Sequence, residues 1–321
     1  MYPDPDGSSS RPNAGIEIPA APRRPAHVCP SIVLGEIFPA GMRAEHDMFV
    51  GFENAVFSNF YSRCEIPVIE DGVRRHQVRQ LVKESGIGLT CWTSEIFSRE
   101  EVNLSSLHAP TRIRSVAKAL ELMRLAGECG ADALGILSGP DPGESKRPGA
   151  LVALADSLIR LGHEARYHGN IHVVIEPLDR DAHKKGLIGP TESAIELLDL
   201  VRKETDRVWL AWDSGHVMLN GEDPVESLNL AAHYVYQMHL SNPVVDRTDS
   251  RFGDHHYPVG SMGAGTPEEF ARIIAAARRC TFAREGMSVA LEVRTQGGLT
   301  PAMTMRGTED LLRVLLGSNA P

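Results

Sequence analysis

Four short stretches of this sequence end, or nearly end, an apolar run on a group that can hold a proton or a metal. IHVVIEP closes on Glu176, VWLAWD ends on Asp213, YVYQMHL carries His239, and SVALEVR carries Glu292. One acid at such a position is ordinarily a helix cap or a solvated strand end. Three carboxylates converging without a counter-charge would repel and raise one another's pKa. A divalent cation removes that conflict. Two or three carboxylate oxygens with one imidazole and open positions suit Mn²⁺ first, with Mg²⁺ and Co²⁺ as alternatives. Such a site can polarise a carbonyl and stabilise the anion formed when a neighbouring proton leaves. Glu176 and Glu292 are then candidates for the groups that remove and return that proton.

These residues share a site only if the fold brings the ends of their strands together. From residue 31 the chain alternates short apolar runs with longer amphipathic ones. SIVLGEIF (31–38) predicts the first strand and residues 44–60 a helix. CEIPVI (64–69) follows, then the helical GVRRHQVRQLVKESG, whose final glycine predicts a helix stop. GIGLTCWTS, ADALGILSG, IHVVIEP, VWLAWD, YVYQMHLS and MSVALEVR continue the strands, each followed by a helix candidate. Eight such βα units predict a single-domain α/β fold, the closed (β/α)₈ TIM barrel, over residues 29–321. No GxGxxG or P-loop marks an open doubly wound sheet. GSMGAG (260–265) lacks the P-loop lysine and reads as a loop. In a barrel the C-terminal strand ends line one mouth, and the four residues fall on strands five to eight.

The formal charge of −9 argues against a nucleic-acid partner, which calls for a basic face. It weighs against a three-zinc endonuclease on this fold for the same reason. Five cysteines without CxxC spacing suit a reducing compartment. No apolar run approaches the ~18 residues of a membrane span. Residues 1–28, rich in Pro, Ser, Gly and Ala, lack the apolar centre of a signal peptide and read as a flexible arm on a cytoplasmic protein.

The stretches VVIEP, AWDSGH, QMHLSN, VGSMGAG and ALEVR resemble the sugar phosphate isomerase/epimerase superfamily, the xylose isomerase-like TIM barrels. The resemblance spans about 31–317 and implies one divalent metal held by Glu176, Asp213, His239 and Glu292. It also implies that His216, in the DxxH pattern, acts on the metal side or on the substrate. Epimerisation or aldose–ketose isomerisation of a sugar is the activity it implies. A non-catalytic sugar-binding barrel is the rival, since fold alone proves no chemistry.

Two mouth loops depart from a plain epimerase. LDRDAHKKGLIGP (178–190) carries Lys184, and SNPVVDRTDSRFGDHHYPVG (241–260) carries His255 and His256. Mouth loops set substrate choice, and a histidine there titrates near neutrality. His256 is accordingly a catalytic candidate; His255, Lys184 and Arg294 are substrate-binding candidates. With His172, these loops look similar to the catalytic subunit of bacterial C-glycoside deglycosidases. That resemblance implies a lyase that acts on 3-keto-glycosides by β-elimination, an oligomer with a small β-rich partner chain, and a catalytic role for His172. The side chain of His172 could face either the barrel or the helices. Basic residues able to grip a phosphate are not evident, so an unphosphorylated sugar or keto-glycoside is the expected substrate.

Overall fold

The strands of the barrel are β1 (Val28–Val33), β2 (Arg63–Pro67), β3 (Gly88–Trp92), β4 (Ala133–Leu137), β5 (His172–Glu176), β6 (Val208–Asp213), β7 (Val235–Ser241) and β8 (Met287–Glu292). All neighbours pair in parallel and in sequence order, and β1 closes on β8 through Val28↔Met287 and Pro30↔Val289. The computed structural model describes residues 28–39, 45–260, 262–284 and 286–317. The expected arm, apart from Val28, lies outside the described residues. Among those described, no helix is long and apolar enough to cross a membrane.

The helices are α1 (Leu34–Ile37), α2 (Glu45–Phe57), α3 (Gly72–Ser85), α4 (Ser94–Arg99), α5 (Ala109–Glu128), α6 (Arg147–Ala165), α7 (Thr191–Val201), α8 (Ser214–Leu219), α9 (Pro224–Ala231), α10 (Pro267–Ala277) and α11 (Pro301–Leu316). As the sequence predicts, Gly86 ends α3 in the left-handed conformation, φ 71°, which costs glycine nothing. The first strand is a correction. It runs 28–33 rather than 31–38, and Leu34–Ile37 coils into one helical turn. Leu34 and Ile37 are three residues apart, so an extended chain would send them to opposite faces, whereas a helical turn buries both on one side. That turn brings Glu36 to the mouth of the barrel.

Alternation sorts the strand residues into two layers. Leu134, Val173, Ile175, Leu210, Met238, Leu240, Val289 and Leu291 are buried in the main apolar core with helix residues such as Leu122, Leu158, Leu197 and Phe270. A second buried cluster, Ala133, Val174, Trp209, Ala211 and Tyr236, fills the barrel interior. The pairing of β6 with β7 shifts by one residue, from Leu210↔Val235 to Ala211↔Gln237. This bulge turns Tyr236 and Gln237 inward in succession, and from there Gln237, His239 and Ser241 share the interior face.

A candidate metal centre at the barrel mouth

Glu176, Asp213 and Glu292 are the last residues of β5, β6 and β8, and His239 lies two residues from the end of β7, directly opposite Asp213 in the pairing. Each offers a ligand atom, and these atoms all lie within 4.8 Å of one another. The Nδ1 of His239 is 3.2 Å from Glu292 Oε2 and 3.5 Å from Glu176 Oε1. The four side chains are buried. The expected convergence of strands five to eight is therefore present.

Asp213 serves two purposes. Its Oδ1 accepts the His216 amide at 2.9 Å and so caps α8, while its Oδ2 accepts from Ser241 Oγ at 2.5 Å. Burial, with Glu292, Asp254 and Glu176 nearby, pushes its pKa up to about 7 against the opposing pull of His216. Glu292 goes the other way. Burial opposes its ionisation, but the imidazoles of His256, His239 and His216 hold it below the usual carboxylate range. A buried set with surplus negative charge calls for a cation. His239 Nδ1 has no hydrogen-bond partner although it is buried and faces two carboxylates. An unpartnered imidazole nitrogen among three carboxylates fits a divalent metal, and the oxygen and nitrogen donors suit Mn²⁺, Mg²⁺ or Co²⁺.

The DxxH histidine, His216, is buried behind this group. Its Nδ1 lies 3.4 Å from Asp179 Oδ2 and its Nε2 lies 3.8 Å from Asp254 Oδ2. Burial disfavours its charge, but Asp179, Asp254 and Asp213 together raise its pKa to about 10. His256 is brought to the site by its loop, at a left-handed φ of 52° that few non-glycine residues adopt. Its Nε2 is 3.2 Å from Asp254 Oδ2, and its Nδ1, buried and without a hydrogen bond, is 3.7 Å from Glu292 Oε1. The glycine-rich stretch is a loop over the residues described. Gly263 packs so closely on Asn242 that a Cβ would sit 2.2 Å from its Oδ1.

Other expected residues sit elsewhere. His172 is corrected: it opens β5 and so lies at the opposite end of the barrel from Glu176. It faces the interior, where Trp209 Nε1 donates to its Nδ1 at 3.1 Å and Arg284 approaches its Nε2 at 3.0 Å. Such a residue cannot touch a substrate at the mouth. Arg294 clamps Glu36, with Nε at 2.7 Å and its terminal nitrogen at 2.6 Å. Glu36, His256 and Glu292 form a second group close enough for a metal, but the guanidinium already neutralises Glu36. Lys184 faces Asp254 at 3.9 Å, and the ring of His255 lies tilted against the rings of His183 and Tyr257.

Sequence reasoning passed over Glu65, Glu36, Trp92 and Asp179. Glu65 is wholly buried beneath His239 and 3.0 Å from its Nε2. Glu36 and Trp92 line a solvent-open cleft beside Glu176, His239 and Glu292, with Val33, Ile66, Pro67, Ser94 and Glu95. Asp179 holds the 178–190 loop by accepting the amides of His183 and Lys184.

A family model described as xylose isomerase-like TIM barrel matches residues 64–313. The chain belongs to the xylose isomerase-like TIM barrel family. Among solved members of similar fold is the IOLI protein with a bound zinc atom, 15% identical over 91% of this chain and 98% of that one, with a TM-score of 0.68. The D-psicose 3-epimerase of Clostridium cellulolyticum H10, solved with D-tagatose, is 15% identical over 91% and 99%, at 0.63. The 3-keto-D-glucoside 4-epimerase YcjR of E. coli is 15% identical over 90% and 98%, at 0.62. At these identities the likeness is one of fold. No curated protein matches the chain in sequence.

Proposed function

We propose that this family member is a divalent-metal-dependent sugar isomerase or epimerase that removes a proton α to a carbonyl of an unphosphorylated sugar or keto-sugar. The observation that carries this reading is the pair of buried carboxylates, Glu176 and Glu292, on either side of His239 at the cleft wall. A metal bound by Glu176, Asp213, His239 and Glu292, Mn²⁺ first, supplies Lewis-acid stabilisation of the charge that develops as the proton leaves. Glu292 and Glu176 come from strands three apart, so they can address opposite faces of one substrate carbon. One takes the proton and the other returns it. His256, steadied by Asp254, sits beside Glu292 and assists the transfer. The apolar walls, Val33, Ile66, Pro67 and Trp92, cover the sugar's C–H faces and keep water out.

The cleft also argues for a neutral substrate. Among the described residues that line it there is no lysine or arginine to grip a phosphate, and the one guanidinium close by, Arg294, is taken up by Glu36. The activities of the structurally similar epimerases, on D-psicose and a 3-keto-glucoside, support the same substrate class.

A β-elimination outcome is the second reading. It is favoured by the His256–Asp254 pair, which offers an acid to a departing aglycone. Deuterium uptake in D₂O by the Mn²⁺-loaded chain separates the two, with ketohexoses and a 3-keto-glycoside as substrates. Metal-dependent uptake with the aglycone retained supports the isomerase; aglycone release supports the lyase. Glu292→Gln is expected to slow exchange roughly 10²–10⁴-fold, the usual weight of a general acid–base. Absence of exchange with both substrates, together with no retained metal, would sink the proposal.

A further inference from the structure

Glu65 lies outside the ligand set, in the middle of β2, with no exposed surface. A lone buried carboxylate is costly unless its oxygens are satisfied. Here four donors from three other strands converge on it. Ser31 Oγ donates to Oε1 at 2.9 Å, and Trp92 Nε1 donates to Oε2 at 2.9 Å. Gln237 Nε2 and His239 Nε2 also reach Oε2, the latter at 3.0 Å. Four donors at two carboxylate oxygens suit the ionised form, so the barrel interior holds a fixed anion directly behind the His239 imidazole.

An imidazole can bind a metal only through a nitrogen that carries no proton, and a hydrogen bond at one nitrogen decides which that is. Oε2 of Glu65 receives Nε2–H. The lone pair then falls on Nδ1, the atom that faces Glu176 and Glu292 and has no partner of its own. Nothing else near Nε2 can do this as well: its other neighbour, Gln237, presents an NH₂ group at 3.2 Å. We propose that Glu65 is the positioning residue for His239, holding the Nε2 proton and thereby committing Nδ1 to the cation; this rests on the metal reading above. The ring is further confined by Trp92, whose own orientation is fixed by its bond to the same carboxylate.

Glu65→Gln tests this while keeping shape and the capacity to accept from Nε2. The full chain is titrated calorimetrically with Mn²⁺, and the imidazole N–H resonance of His239 is followed in the Zn²⁺-loaded, diamagnetic form. The expected result is a roughly 10–100-fold loss of Mn²⁺ affinity, the effect typical of removing a ligand's outer partner. The strongly hydrogen-bonded Nε2–H resonance should move upfield or broaden with it. A merely structural role would lower thermal stability without shifting that resonance. If Glu65→Gln does not fold, Ser31→Ala loosens the carboxylate without touching charge and should weaken Mn²⁺ binding about five-fold, the weight of one hydrogen bond. Wild-type affinity and an unshifted resonance in whichever variant folds overturn the inference. Failure of the wild-type chain to bind Mn²⁺ would instead overturn the metal reading itself.

Discussion

At the N-terminal end of the barrel, Arg63 donates to both oxygens of Asp132 at 2.7 Å, Tyr236 adds its hydroxyl at 3.1 Å, and Arg284 lies over the Tyr236 ring at 4.2 Å. At the C-terminal end, Glu176, Asp213 and Glu292 share a single imidazole whose inner nitrogen bonds to nothing. Of the eight strands only β7 supplies both clusters, through Tyr236 and His239, three residues apart. At one end the carboxylate is satisfied by its neighbours; the other is left with surplus anions. It is the unsatisfied part of the buried polarity that points to a ligand.

The sharpest way to break this contrast is Asp213→Asn. Asparagine caps a helix about as well as aspartate, so α8 should keep its start while the centre loses a charge. Mn²⁺ affinity should fall by more than the roughly 100-fold upper range for outer partners, with the melting temperature of the metal-free chain at pH 8 unchanged or higher. The stability sign follows from a pKa raised to about 7: above it, the ionised carboxylate is a burden on the fold. Calorimetric titration and a thermal melt check both halves. A clear loss of metal-free stability would show that the two roles of Asp213 are not separable.

At the other end the expected losses reverse. Asp132→Asn leaves Arg63 buried without its counter-charge and should cost about 2 kcal/mol in urea unfolding. That is below the range for fully buried pairs because Asp132 is partly screened by solvent. Mn²⁺ affinity should not change. Weakened metal binding in this variant would mean that the two ends are coupled through Thr90 and Gln237, which link Arg63 to the Glu65 carboxylate.

The smallest effect concerns His172. Burial, aided by Arg284 and Arg207, pushes its pKa down to about 4. As pH falls, the unfolded chain takes up this proton first, near 6.5. Stability from the neutral ring is full above that value and is lost between about 6.5 and 4. His172→Phe should flatten the fall in melting temperature over this window and leave Mn²⁺ affinity at pH 7.5 untouched. Parallel slopes for the two proteins would remove His172 from the account.

The barrel and the convergence of Glu176, Asp213, His239 and Glu292 are legible in the sequence because each interrupts an apolar strand at or near its far end. Glu65 escaped notice for the opposite reason. In RCEIP it occupies an interior position of a short strand, and alternation with Cys64 and Ile66 looks ordinary for any half-polar strand. Its importance comes from donors on β1, β3 and β7, which no local pattern reveals. His172 was misjudged although the information was present: it shares a face with Glu176 but opens the strand, four residues and roughly 13 Å away at 3.3 Å per residue. The end of β1 is not evident in the sequence because Ile32, Val33 and Leu34 run on toward Ile37 and Phe38 with only Gly35 and Glu36 between them, and nothing local says where extension yields to a turn.

The extra residue in β7 has a further consequence for reading relatives of this chain. Strand parity decides which side chains enter the barrel, and the bulge at Tyr236 resets that parity just before the ligand. Counted from Val235 without it, the inward positions would be Tyr236, Met238 and Leu240, and the thioether of Met238 would stand where the imidazole does. An alignment that closes the gap here would name the wrong ligand while matching every neighbouring residue. In this barrel a reading frame decides which side chain faces the three carboxylates, and a single residue keeps that frame.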